Sequence, residues 1–370
     1  MTQKPGLDYA AAGVDYGTLD ASKILAQKAA RATAANLALH DATEIEASRG
    51  ESAYLIEVGG MLIASITECL GTKALVADAV RAFSGRTHYD TIAQDTIAMA
   101  VNDLVTVGAT PLSTHAYWSA GSSAWFGDEE RMRDLVRGWQ AACDVCGMAW
   151  GGGETPALSG VVEAERIDLA ASCVGIVKSR DRLMLGELLK AGDAIVLLAS
   201  SGIHANGISL ARTLAERLPE GYRTPLADGR SFGEALLDPT VLYPPVIEAL
   251  FAAGVHPHYA VNITGHGWRK LMRHPAKLKY VIRRVPPVPP VLQFLQVQGG
   301  MSVRDAYGTL NMGAGFALFV ARPDVAATIE VARAAGLAAW HAGDVEAGDK
   351  RLVIEPLALQ YAGSDLHLRA

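Results

Sequence analysis

Cysteine is scarce in this 370-residue chain: Cys69, Cys143, Cys146 and Cys173 are the only four, too few for the disulfide framework of a secreted protein of this size. Cys143 and Cys146 form a CxxC, but no second pair and no histidine follow at zinc spacing. They read as two small apolar residues on one helical turn. Long hydrophobic runs are also missing. No stretch reaches the eighteen or more apolar residues of a membrane helix, and Met1 to Leu7 (MTQKPGL) lacks the apolar core of a signal peptide. A soluble, cytoplasmic protein is expected. Basic runs are absent as well: 33 Lys and Arg stand against 39 Asp and Glu, a formal net charge of -6, which makes nucleic acid a poor partner.

What the chain does have is apolar mass, with 50% hydrophobic residues, ample for two cores over this length. Strand and helix patterns alternate through it. Tyr54 to Val58 and Met61 to Ile66 read as strands around Gly59-Gly60, followed by a helix over Leu75 to Phe83. Next come a strand over Pro111 to Ala120, an amphipathic helix over Asp128 to Cys146 and a buried strand over Ile167 to Val177. The charged run after Lys178 suggests a boundary, and the alternation then restarts. Strands are expected at Ala194 to Ala199, Leu278 to Val285, Phe316 to Val320 and Leu352 to Ile354. Helices are expected at Ile208 to Arg217, Tyr243 to Ala253, Gly267 to Met272 and Val325 to Ala335. The expected architecture is a two-domain α/β (α+β) chain: residues 1–178, residues 179–355, and a tail over 356–370.

The stretch Tyr89 to Leu112 (YDTIAQDTIAMAVNDLVTVGATPL) carries the strongest message. Ile92, Met99, Val101, Leu104 and Val105 give a helical apolar face, and Val107-Gly108 before Pro111 is a stop signal. Asp95 and Asn102 lie two turns apart on one face, with Asp103 beside them. An acid, an amide and a second acid in an apolar helix suit oxygen coordination of Mg²⁺ shared with substrate phosphates; an amphipathic helix with a wet edge fits the same pattern. Nearby, Glu68-Cys69-Leu70-Gly71-Thr72-Lys73 follows an apolar run, so that a strand feeds a loop bearing an acid, a glycine and a lysine. Gly151-Gly152-Gly153-Glu154-Thr155 would let the backbone approach an anion and offers one more hard oxygen ligand.

Taken together and in order, Tyr9 to Asp15 (YAAAGVD), Gly71-Thr72-Lys73, Tyr89 to Pro111, Gly151 to Thr155, Ser200 to Leu210 (SSGIHANGISL), Leu237 to Tyr243 (LDPTVLY), Thr264-Gly265 and Thr309 to Gly315 (TLNMGAG) resemble the aminoimidazole ribonucleotide synthetase, or phosphoribosylformylglycinamidine cyclo-ligase, family. The resemblance implies a PurM-like two-domain fold, an N-terminal mixed sheet that pairs across a homodimer, and ATP-dependent closure of an imidazole ring on a small ribonucleotide substrate. It implies ATP and Mg²⁺, with a monovalent cation as a further candidate. Glu68, Asp95 and Asn102 or Asp103 would hold the metal. Thr72, Lys73, Asp95, Gly152, Gly153, Glu154 and Thr155 would bind the nucleotide, and His204, Asn206 and Lys73 would act on the substrate. For Asn311, substrate contact and a left-handed turn beside Gly313 both fit.

The chain departs from the family pattern at several places. Glu68 stands where an aspartate is usual, Tyr89 where a histidine is common, and Pro156 follows Glu154-Thr155. Glu44 to Ser52 (EIEASRGES) replaces a glycine-rich segment that covers the nucleotide. His266 interrupts a run of glycines after Thr264, where it could fill the pocket, contact a different substrate or point outward.

Overall fold

In the computed structural model, which describes Leu7 and residues 16–366, the focal helix is sandwiched between the two halves of the chain. The first half is a six-stranded sheet in the order β1-β2-β3-β6-β4-β5, with β1 at Ala42–Glu44, β2 at Tyr54–Val58, β3 at Met61–Cys69, β4 at Thr110–Ala120, β5 at Ala149–Glu154 and β6 at Ile167–Val177. All neighbours run antiparallel except β4 and β5. Helix α1 (Tyr16–Thr33) precedes the sheet. Helices α2 (Lys73–Ser84), α3 (Tyr89–Leu104) and α4 (Glu129–Cys146) belong to this half, and α3 packs on β3, β6 and α4.

The second half is a seven-stranded sheet in the order β13-β12-β9-β11-β7-β10-β8. Its strands are β7 (Ala194–Ala199), β8 (Tyr259–Asn262), β9 (Leu278–Ile282), β10 (Ala314–Val320), β11 (Ala339–Ala347), β12 (Arg351–Ile354) and β13 (Leu359–Ala362). Strands β7 and β10 are buried along nearly their whole length, as fits their continuous apolar sequence. Helices α5 (Ile208–Arg217), α6 (Phe232–Leu236) and α7 (Pro244–Ala252) follow β7. The larger hydrophobic core runs through both halves, from Leu55 and Ile92 to Phe319 and Ile354.

Several expectations are corrected. Residues 149–154 are an edge strand, not a glycine turn, because β4 offers them a parallel partner. The expected tail contains β13, which pairs antiparallel with β12. Residues 267–272 form a 3₁₀ turn, and β8, β11 and β13 lie where no strand is expected from the sequence. The YAAAGVD stretch lies outside the described residues. Asp95, Asn102 and Asp103 are buried along with the apolar residues of α3, because the second half covers the side that the sequence left polar.

The face of the first sheet turned away from its helices carries a row of exposed apolar side chains. Register puts Met61, Val174 and Tyr117 on that face, with 52%, 36% and 37% of their surface exposed. No helix of the described residues is long and apolar enough to cross a membrane.

The crossing of α3 and α4 is close at Gly138, where an added Cβ would overlap the backbone of Asp90. Gly138→Ala is therefore expected to lower the thermal unfolding midpoint, with overpacking of about 1–3 kcal/mol outweighing the gain of about 1 kcal/mol in helix propensity. A midpoint that rises would contradict this packing.

Candidate active site

The polar face of α3 grips one segment of the second half, Asp238 to Tyr243. The Asp95 carboxylate forms an ion pair with Lys73 Nζ at 2.7 Å, both side chains being fully buried. Its other oxygen accepts from the Thr240 amide at 2.7 Å and the Thr240 hydroxyl at 2.5 Å. Lys73 also donates to the Asp238 carbonyl at 3.0 Å. One residue earlier, Gln94 donates to the Thr240 carbonyl. Two turns on, Asn102 donates to the Val241 carbonyl and accepts from the Tyr243 amide at 2.9 Å. Burial holds the Asp95 carboxyl above its usual range, with Lys73 and Thr240 opposing that shift. The side-chain atoms of Lys73, Asp95 and Asn102, expected at a metal or nucleotide, are engaged here by the segment 238–243.

The glycine-rich motif has a packing explanation. A Cβ on Gly151 would clash with the His115 ring, and one on Gly153 would overlap the Ala116 carbonyl, so these glycines let β5 lie close to β4. Gly152, Gly153, Glu154 and Thr155 are exposed on the outer edge of the sheet. Thr72 sits at the N-cap of α2 without a side-chain capping bond.

Three of the four remaining residues converge. Glu68, Asp103 and Asn206 line one cavity of about 350 Å³ between the halves, together with Met99, Thr264, Gly265, His266, Lys270 and Arg273. Asp103 accepts from Asn262 Nδ2 at 2.7 Å, and Asn206 accepts from the Gly265 amide at 3.1 Å. Lys270 donates to Thr264 Oγ1 and to the Asn262 carbonyl. His266, with a backbone φ of +70°, is buried on the cavity wall and does not point outward. A second cavity of about 680 Å³ adjoins this one under α1, with Lys28, Arg31 and Arg49 among its lining residues. Gln27, Gly50, Glu51 and Ser52 line both.

His204 lies outside the cavity walls. It is buried, its Nε2 accepts from the Ser201 amide at 3.2 Å, and its ring packs beside Tyr243. Burial, with a smaller push from the Lys73 ammonium, lowers its pKa to about 3. At neutral pH the buried ring is uncharged. Asn311 is a buried staple: it accepts from Ser200 Oγ and the Gly313 amide, and donates to the Gly202 carbonyl. Met312, not Asn311, takes the left-handed conformation. Cys143 and Cys146 are free and buried on α4, and burial pushes the Cys143 thiol up to about 11.

Sequence reasoning missed Lys270 and Arg273. A signal was present: they lie three apart, which is one turn of a 3₁₀ helix, so both can face one side. No group of three or more His, Cys, Asp or Glu able to hold a metal occurs among the described residues. Glu68 and Asp103 are the acidic pair of the interdomain cavity nearest to that role, alongside Glu51.

Two outcomes test this geometry. Asp95→Ala leaves the Lys73 charge buried and uncompensated, so urea unfolding without any ligand should show a loss of about 3–5 kcal/mol; unchanged stability would return Asp95 to a ligand role. For His204 the unfolded pKa is near 6.5 and the folded value about 3. Between these the unfolded chain binds a proton that the folded chain does not, so stability is lost as pH falls through that window. His204→Gln should flatten the dependence of urea midpoints on pH between 6 and 4, removing up to about 1.4 kcal/mol per pH unit; an identical slope would contradict the burial of a neutral ring.

Comparison with known proteins agrees with the two-part layout. Residues 50–177 match the AIR synthase related protein N-terminal domain, and residues 190–355 match the AIR synthase related protein C-terminal domain. The phosphoribosylformylglycinamidine cyclo-ligase of Carboxydothermus hydrogenoformans is 34% identical over 81% of this chain and 86% of its own length. That of Coxiella burnetii is 30% identical over 96% of this chain and 98% of its own. Among solved structures, ThiL complexed with AMPPCP and TMP superimposes with a TM-score of 0.56 at 15% identity, covering 85% of this chain and 90% of that one. PurL of T. maritima complexed with ATP gives a TM-score of 0.56 at 15% identity over 88% of this chain and 47% of that one. Two catalogued domains in sequence and relatives aligned over most of their length lead to one conclusion: the chain belongs to the AIR synthase related protein family and has its two-domain α/β fold.

Proposed function

We propose that this chain is a phosphoribosylformylglycinamidine cyclo-ligase, an ATP-dependent enzyme of purine biosynthesis working in the cytoplasm. The observation that carries the reading, beside the cyclo-ligase names of its relatives, is the pair of adjoining cavities with a shared wall at Gly50 to Ser52. The larger carries Lys28, Arg31 and Arg49 in its wall, the two arginines paired with Glu46 and Glu44, and its volume suits a nucleotide. The smaller, with Asn206, Thr264, His266 and Lys270, suits a polar ribonucleotide. Two substrates held side by side in cavities that share lining residues is the arrangement that direct phosphoryl transfer needs.

The chemistry follows from the poor leaving ability of an amide oxygen. ATP transfers its terminal phosphoryl group to that oxygen of formylglycinamidine ribonucleotide, giving ADP and an iminophosphate. The internal amine attacks the activated carbon, and phosphate departs with the former amide oxygen as the imidazole ring closes. The chain's part is to position both substrates and balance their charge. Glu68 and Asp103, which line one cavity, would hold Mg²⁺, and the ion would neutralise phosphate charge when bound. The uncovered apolar face around Met61, Tyr117 and Val174 supports a homodimer formed through the first sheet.

Incubation of the purified protein with Mg-ATP and formylglycinamidine ribonucleotide is expected to give ADP, phosphate and the aminoimidazole product in equal amounts. Nucleotide binding without that product would overturn the substrate assignment and move it to another acceptor.

A further inference from the structure

The wall between the two cavities is held from the opposite half of the chain. Arg273 Nε and Nη2 donate to the Gly50 carbonyl at 3.1 and 2.9 Å, and Nη1 donates to Ser52 Oγ at 2.8 Å. Its guanidinium also lies 3.4 Å from the Glu51 carboxylate, with side-chain exposures of 12% and 4%. Tyr259, again from the second half, donates to Glu51 at 2.8 Å. Gly50 itself has a φ of +82°, a conformation that turns the chain sharply there at little cost only for glycine. The base of the segment is equally fixed. Ser48 Oγ donates to the Ile45 carbonyl and accepts from the Leu55 amide, and Arg49 bonds to Glu44. The stretch Glu44 to Ser52 is therefore a built partition.

We propose that Arg273 is a positioning residue that pins this partition and thereby keeps water away from the activated acceptor. The inference rests on the reading of the two cavities as nucleotide and acceptor subsites. Its physical basis is the rigid fork of the guanidinium, which meets acceptors on two residues, Gly50 and Ser52, with three N–H groups; a lysine has the charge but not the fork. The consequence is chemical. If the partition loosens, water adds to the activated carbon in place of the internal amine. Phosphate leaves with the bridging oxygen, the amide is restored, and the net change is ATP plus water to ADP plus phosphate with no ring formed. Exclusion of water from such an intermediate is what a closed site provides.

The test uses the full chain with Arg273→Met and Arg273→Lys, reading ADP and aminoimidazole product from the same reaction, and hydrogen exchange of the amides of residues 50–55 without ligand. Wild type should form one ADP per ring. Both variants should form about 3-fold or more ADP per ring, and their amides at 50–52 should exchange about 10-fold faster. A ratio that stays at one while exchange rises would overturn the coupling role, and unchanged exchange would overturn the pin. Should either variant fail to fold, Ser52→Ala removes a single bond of the set and should shift both readouts in the same direction; its failure to do so counts against the proposal. A wild-type protein that binds AMPPCP but forms no ring would refute the substrate assignment, and the exchange comparison would still decide whether Arg273 holds the wall.

Discussion

The buried ion pair of Lys73 with Asp95 fixes how the two halves meet. Neither charge can reach water, so each must find its partners inside. Those partners are each other, the Thr240 amide and hydroxyl, and the Asp238 carbonyl. The pair belongs to the first half and the remaining partners to the second. Ordering the segment 238–243 against α3 is thus the condition under which the two charges can be buried at all. Gln94 and Asn102 extend the same fastening along the helix, and Asp103 with Asn262 continues it to the floor of the cleft.

The cleft inherits its shape from this fastening. With α3 held against the second half, the end of β3 brings Glu68, the end of α3 brings Asp103, and the loop before α5 brings Asn206 to one cavity. The 3₁₀ turn after Gly265 supplies Lys270, and Arg273 caps its end. That turn faces the segment Gly50 to Ser52, so this side of the cleft is a preformed wall tied by side chains.

The sequence was most legible where one force dominated. The continuous apolar runs of β7 and β10 and the face of α3 from Ile92 to Leu104 appear where periodicity places them. Strand β11, with Gly343, Asp344 and Glu346 in it, was hidden because its pairing with β7 and β9 is a tertiary fact. The spacing of Asp95, Asn102 and Asp103 correctly marked one special face, but spacing cannot tell a metal ligand from a side chain that binds another part of the same chain. Glycines 151 and 153 illustrate the same limit: the need for a bare backbone was readable, while the groups lying against it, the His115 ring and the Ala116 carbonyl, were not. The polar sequence of the loop carrying His204 does not reveal that the loop folds inward over Gly315 and Tyr243.

The central claim is that the polar face of α3 is a fastener and that substrates meet in the paired cavities beside it. A crystal structure with AMPPCP and Mg²⁺ tests this most directly. The account predicts the triphosphate chain in the cavities, near Glu68 and Asp103, with the Lys73, Asp95 and Thr240 contacts unchanged. Phosphate oxygens bound to Lys73 with the Asp95 pair broken would contradict it.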